Sequence, residues 1–448
     1  MGLVLARLLL PSDYGMIGML SVFLAISQTF VDSGFSSALI QKNNRTDVDY
    51  STVFFFNIGV GIFFYFLLFF SAPLIAEFYQ IPELILLTKV IGINIFITTL
   101  SVVQRAKLTI NLDFKTQAKA SLISVLLGGC VGIFMAFKGY GVWALVIQSL
   151  ISNGMNTFFL WFFSKWIPMA IFSKESFSSL FSFGSKLLVA GLLNTIFINI
   201  YLIVIGKVYN ATDLGFYTRA QQFQKMPSEN ITGILQRVTF PVLSSLQNDE
   251  EKLISAFRRF IRMSVFIIMP LMIGLAVVAE PLIRFLLTEK WLPAVPYLQL
   301  LCVVGMMYPV HAININILNV KGRSDLVLRL ELIKKALIVT SIFVTYRYGI
   351  NAMIIGQIVT SFLAFFINTH YSGKMVAYSS WSQIKDISPI FLITLLMAFV
   401  VWLSISSVSN DSLKLLIGTV SGISTYILIA KIAKFKELDQ IVGLIFNK

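Results

Sequence analysis

Apolar runs separated by short polar segments occupy almost the whole chain. They fall at about 1–10, 15–38, 52–76, 84–103, 116–137, 141–163, 182–206, 214–240, 263–286, 294–319, 326–345, 350–370, 387–407 and 412–432. A helix crosses a bilayer with about 20 apolar residues, at about 1.5 Å per residue. The pattern predicts thirteen full membrane-spanning helices and one stub. Runs this long exclude a barrel, whose strands would be only about ten residues each.

The chain also echoes itself. LPSDYG at Leu10–Gly15 matches ATDLG at Ala211–Gly215, with Asp13 opposite Asp213 and Gly15 opposite Gly215. Later, KGYGVWALVIQ from Lys138 to Gln148 matches RYGINAMIIGQ from Arg347 to Gln357. Two matches in one order predict that one half repeats the other. By that ruler the helix at 182–206 corresponds to one ending near residue 9, from which about 20 residues are missing. The natural start is therefore expected about twenty to thirty residues upstream. The alternative is a re-entrant or interfacial piece about 15 Å long.

Composition supports the membrane reading. The 448 residues are 57% hydrophobic and 12% charged, against about 25% charged in a soluble domain. Mean hydropathy is +0.84. Cys130 and Cys302 each lie in an apolar run without a metal-like partner, so neither a disulfide nor a bound metal is expected. No cofactor is implied, and no secretory signal peptide is evident.

The net charge of +14 does not indicate nucleic acid, because the basic residues sit mostly in loops between apolar runs. Of the 35 basic residues, twenty-four fall on one set of alternating loops and in the tail, from Lys42 and Arg45 to Lys436 and Lys448. Eight fall on the other side: Arg7, Lys89, Lys138, Lys207, Arg284, Lys290, Arg347 and Lys414. The richer side is expected to be cytoplasmic, the C-terminus with it, facing anionic lipid headgroups. Ser173–Lys186 and Asn248–Arg262 read as amphipathic elbows before a span, each with a helix-start signature.

The remaining three basic residues, Arg219, Lys225 and Arg237, share the run at 214–240. At about 100° per residue, Arg219, Gln222, Met226, Asn230, Gly233 and Arg237 share one face. Arg219 and Arg237 are roughly 27 Å apart along it. Pro227 is expected to kink or break the helix between them. The corresponding run of the first half aligns Ser21, Gln28 and Asp32. Polar side chains inside a span are expensive against lipid, so they line a cavity or another helix. Two polar stripes are what a water-filled cavity between two halves needs. Arginine suits phosphate oxygens; the alternative is that Arg219 and Arg237 snorkel to headgroups. Lys225 pairs with Glu229 at i+4 or meets a substrate. Asp32 is a candidate for ion coupling or a helix-end residue. His311 and Asn314, with Asn316 and Asn319, read as an interhelical hydrogen-bond cluster lining the cavity. Glu280 and Arg284 read as a structural ion pair. No Walker, HExxH or GxSxG motif is present, so an enzyme is not expected.

Four strings resemble a known family: LARLLLPSDYGMIGM, FVDSGFSSALIQ at Phe30–Gln41, FYQIPEL at Phe78–Leu84, and GKVYNATDLGFYTRA at Gly206–Ala220. They are similar to bacterial polysaccharide flippases of the lipopolysaccharide or colanic-acid type. These belong to the multidrug/oligosaccharidyl-lipid/polysaccharide exporter superfamily, and the resemblance covers essentially the whole chain. It implies an all-α polytopic protein of two six-helix bundles related by a pseudo-two-fold axis, plus two C-terminal helices. The bundles would be 1–163, with helix 1 incomplete, and 182–370. A cytoplasmic linker at 164–186, extra helices at 387–432 and a cytoplasmic tail at 433–448 complete the layout. The implied substrate is an undecaprenyl-diphosphate-linked oligosaccharide, moved by alternating access and met by Arg219, Lys225 and Arg237. Implied partners are membrane lipids, a polysaccharide polymerase and glycosyltransferases, with the transporter itself a monomer. The alternatives are a cation-coupled multidrug antiporter, a lipid-linked peptidoglycan precursor flippase, or a non-transporting scaffold for glycan assembly.

Overall fold

A computed structural model describes residues 1–32, 34–42 and 44–446. The expected tail at 433–448 therefore ends, at Asn447 and Lys448, outside the described residues, and so does the side chain of Lys186. The described residues form helices and connecting segments without strands. The chain divides into two compact units, Met1–Gly215 and Phe216–Lys448.

The first unit contains α1 (Gly2–Leu8), α2 (Pro11–Asp32), α3 (Phe35–Gln41), α4 (Asp47–Tyr79), α5 (Leu84–Ile91), α6 (Ile93–Thr99), α7 (Val102–Ile110), α8 (Phe114–Phe137), α9 (Val142–Ser164) and α10 (Lys174–Val208). Helix α11 (Ala211–Ser245) starts in this unit and continues into the second. The second unit adds α12 (Glu250–Val277), α13 (Ala279–Leu287), α14 (Ala294–Gly305), α15 (Tyr308–Val320), α16 (Ser324–Thr345), α17 (Ile350–Val376), α18 (Ser380–Ser406), α19 (Asp411–Ile432) and α20 (Lys436–Phe446).

Ten segments of the described residues are long and apolar enough to cross a membrane, which makes this a multi-pass membrane protein. The other three expected spans are present as α9, α11 and α16, of 23, 35 and 22 residues. Their length suffices, but polar residues dilute their hydropathy: Asn153 and Asn156 in α9, Lys225 and Glu229 in α11, Glu331 and Lys334 in α16.

Several expectations change. The run at 84–103 is three short helices, α5 to α7, and the run at 294–319 is two, parted at Met306 and Met307. The amphipathic elbows are not separate: α10 and α12 begin at the expected caps, Ser173 and Asp249, and run on into their spans. Both side chains accept a hydrogen bond from a backbone N–H three residues on, so the start signatures hold. Once nucleated, each helix extends because nothing between cap and span stops it. Helix α10 packs against α2, α3 and α4, so the boundary between the units falls after Gly215 and not in the expected linker at 164–186. Helix α11 continues through Pro227 and Pro241 without the expected break.

Backbone turns of the same kind recur in the same order along the two units. Leu112 and Gly322 both adopt positive φ, 54° and 68°, directly before α8 and α16. The amide of the next residue reaches back five positions in each case, Asp113 to Leu108 and Arg323 to Leu318, both at 2.9 Å. Gly141 and Gly349, also at positive φ, precede α9 and α17. At the start of the repeat the two matched glycines make a reciprocal contact within the first unit. A methyl on Gly15 would lie 1.6 Å from the carbonyl oxygen of Ala211, and one on Gly215 would lie 1.9 Å from that of Pro11. The backbones of α2 and the first turn of α11 thus touch, as small residues allow between membrane helices.

Candidate functional site

Helix α11 holds the three cations that the sequence sets apart, Arg219, Lys225 and Arg237. Its start is fixed by Asn210, whose side chain accepts from the amide of Asp213 and donates to the Asp213 carboxylate, both at 2.8 Å. Further on, Gln, Arg, Lys and Met sustain the helix. Arg219 is buried, 8% exposed. It donates to Gln222 Oε1 at 2.5 Å and its guanidinium lies 5.7 Å from the centre of the Trp291 ring. A buried arginine stacked on indole does not snorkel. Lys225 lies 3.7 Å from Glu229, and the two are 28% and 58% exposed. Gln222, Asn230 and Arg237 are exposed, and Asn230 donates to the carbonyl of Met226 at 2.6 Å.

Three cavities of the second unit border α11 among the described residues; one of about 600 Å³ lies further along, between Ile234, Leu235, Val238 and Val242 and helix α12, and the other two lie beside Lys225 and Glu229 in sequence. Of these two, one of about 340 Å³ is lined by residues of polar type, Glu229, Thr232, Gly233 and Gln236 of α11 and Tyr308 and His311 of α15, although the surface they turn to it is mostly apolar. An apolar one of about 640 Å³ is lined by Phe223 and Pro227 of α11 and by residues of α12, α18 and α19, among them Met397, Gly418 and Ile423. Phe223 and Pro227 interleave with Lys225 and Glu229 in sequence, about 200° round the helix from them. One stretch of α11 thus offers charge on one side and a trough for hydrocarbon on the other.

His311 lines the polar cavity with both ring nitrogens engaged, by Ser361 at 3.1 Å and Asn368 at 3.2 Å. Asn314 does not line it. Its side chain is fully buried and held by Val310, Ser372 and Gln383, which joins α15, α17 and α18. Asn314 makes the expected interhelical hydrogen bonds but does not line the cavity, because its amide is enclosed by those partners. In the first unit Gln28 joins Thr98 of α6, at 2.9 Å, to Asp32, at 3.3 Å. Asp32 is exposed at the end of α2. Glu280 and Arg284 pair at 2.8 Å, as expected. Among the described residues no cluster of His, Cys, Asp or Glu could hold a metal ion.

A polar cluster on α12 has no counterpart among the residues that the sequence singles out. Arg258 grips Asp386 of α18 with two donors, each at 2.5 Å. Tyr378 donates to the same carboxylate at 2.6 Å. Burial, and then that hydrogen bond, pushes the Tyr378 phenol well above its ordinary range. Arg262 lies 3.5 Å from Asp386 and binds Glu437 of α20, while Arg259 donates to Gln440 at 2.9 Å. The only sequence trace of it was the triple arginine after an acidic helix start.

The fold is shared with a lipid II flippase, MurJ, in an inward closed conformation. That match has a TM-score of 0.76 at 17% identity and covers 96% of both chains. A multidrug resistance MATE family transporter of the MOP superfamily matches at TM-score 0.66 and 15% identity, over 84% of this chain and 94% of that one. Residues 4–296 match the polysaccharide biosynthesis protein family, and the chain belongs to that family. Among its relatives, the teichuronic acid biosynthesis protein TuaB of Bacillus subtilis (strain 168) is 32% identical over 302 residues, 67% of this chain and 62% of that protein. The lipopolysaccharide biosynthesis protein WzxC of Escherichia coli (strain K12) is 26% identical over 387 residues, 85% of this chain and 78% of that protein. These findings bear out the resemblance read from the four sequence strings.

Proposed function

We propose that the protein is a transporter and not an enzyme, and that it flips undecaprenyl-diphosphate-linked oligosaccharides across the cytoplasmic membrane by alternating access, for surface polysaccharide assembly. The observation that carries this is the two-sided stretch of α11. A polyprenyl-diphosphate glycan has an anionic junction between a long hydrocarbon and a polar sugar chain. Arg219 and Lys225 suit the diphosphate, with Arg237 further along the same helix. The 640 Å³ trough beside Phe223 and Pro227 suits the polyprenyl chain. The polar cavity around Glu229, Gln236, Tyr308 and His311 suits the sugar hydroxyls. The relatives' names support a glycan cargo. The loop charges support a cytoplasmic C-terminus. A polymerase and glycosyltransferases are the partners that such a cargo needs on its two sides, and a monomer suffices for the site on α11.

The test is surface polysaccharide in a bacterium lacking its own translocase. The chain is expected to restore it. Arg219→Gln with Lys225→Gln is expected to reduce it at least tenfold at equal protein level, since each lost charge-assisted contact is worth about 1.5–3 kcal/mol. Restoration by the double variant at the full level contradicts the assignment of the cations.

A further inference from the structure

Two cations of the second unit, Arg258 and Lys225, are neutralised in different ways. Arg258 is locked: two donors sit 2.5 Å from Asp386, whose side chain is 7% exposed. The Lys225 ammonium is 3.7 Å from Glu229, beyond hydrogen-bond distance, and both partners are partly exposed. The first arrangement is a clamp. The second is a loose pair that either partner can leave. Glu229 also has somewhere to go, because Thr232, Gln236, Tyr308 and His311 line the same cavity as its carboxylate. Lysine without a counter-charge is costly within a membrane protein, so an empty site needs an anion near Lys225 that a substrate can replace.

We infer that Glu229 is a counter-anion that the substrate's diphosphate displaces from Lys225, an inference that rests on the proposed function of α11. Glu229 pairs with Lys225 when the site is empty, swings to the polar lining when the diphosphate arrives, and returns when it leaves. Glu229 therefore weakens substrate binding and so favours release. A residue that merely positions Lys225 would do the opposite.

The experiment measures equilibrium binding of farnesyl diphosphate to the purified full chain in nanodiscs. Glu229→Gln is expected to tighten binding about two- to tenfold, and Glu229→Ala to do the same. Lys225→Gln is expected to weaken it, and adding Glu229→Gln to Lys225→Gln is expected to change nothing further. Unchanged or weaker binding in both Glu229 variants, with Lys225→Gln still weakening it, overturns the displacement while leaving the reading of α11 intact. No effect of Lys225→Gln removes that reading and the displacement together. Thermal unfolding of each variant separates loss of binding from loss of fold, and an exposed Glu229 makes unfolding an unexpected result.

Discussion

Gly15→Ala and Gly215→Ala are each expected to destabilise the protein by about 2 kcal/mol or more, although Gly to Ala inside a helix ordinarily stabilises it by about 1 kcal/mol. The sign is the informative part. The added methyl would meet a carbonyl oxygen at 1.6 Å in one case and 1.9 Å in the other. Those oxygens belong to backbone, which cannot swing aside as a side chain can. The helices must separate, and the reciprocal contact between Pro11–Gly15 and Ala211–Gly215 is lost. Gly59→Ala in α4, where nothing lies within 4 Å of the new methyl, is the control and is expected to melt at or above the wild-type temperature. Thermal unfolding in detergent micelles checks all three. Wild-type melting of both Gly15→Ala and Gly215→Ala would show that the contact is not made.

Arg258→Ala is expected to cost about 1–3 kcal/mol, because it takes two charge-assisted donors from a nearly buried carboxylate while Arg258 itself is half exposed. It leaves the nearly buried Asp386 carboxylate with Tyr378 at 2.6 Å and a more distant Arg262 at 3.5 Å. Asp386→Asn is expected to cost less, because Arg258 is 54% exposed and can turn to solvent. The double variant is expected to cost less than the sum, with a coupling of about 0.5–3 kcal/mol. Chemical or thermal unfolding of the four proteins closes the cycle. Additive losses would mean that α12 and α18 are held by packing alone.

What could be read in the sequence follows from the range of each interaction. Membrane spans are set by local composition, so most of their positions, the cap at Ser173 and the helix start within Asn248–Glu250 were readable, whereas the run at 263–286 is parted at Val278 between α12 and α13. The repeat was readable at Asp13 and Gly15 because backbone turns and touching helices constrain residue type. The breaks at Gly92 and at Met306–Met307 were not, since hydropathy runs through them unchanged. Long-range partners were hidden for another reason. Asp386 is an ordinary acid near the start of α18 until its arginine, 128 residues earlier, is placed against it. Asn314 looked like its neighbours Asn316 and Asn319 until Gln383 and Ser372 enclosed it. The cations of α11 were legible as exceptions to the loop pattern. Their surroundings, Trp291 over Arg219 and the cavities, arise only in three dimensions.

The most direct measurement of the central claim is translocation itself. The purified chain is reconstituted into vesicles carrying a fluorescent undecaprenyl-diphosphate-linked sugar, and the label reaching the outer leaflet is quenched from outside. Quenching of label beyond the outer-leaflet share is expected with the wild-type chain, and little with Arg219→Gln and Lys225→Gln together. Equal translocation by both proteins, or no translocation of this lipid alongside cation-driven efflux of a drug-like dye, would contradict the claim.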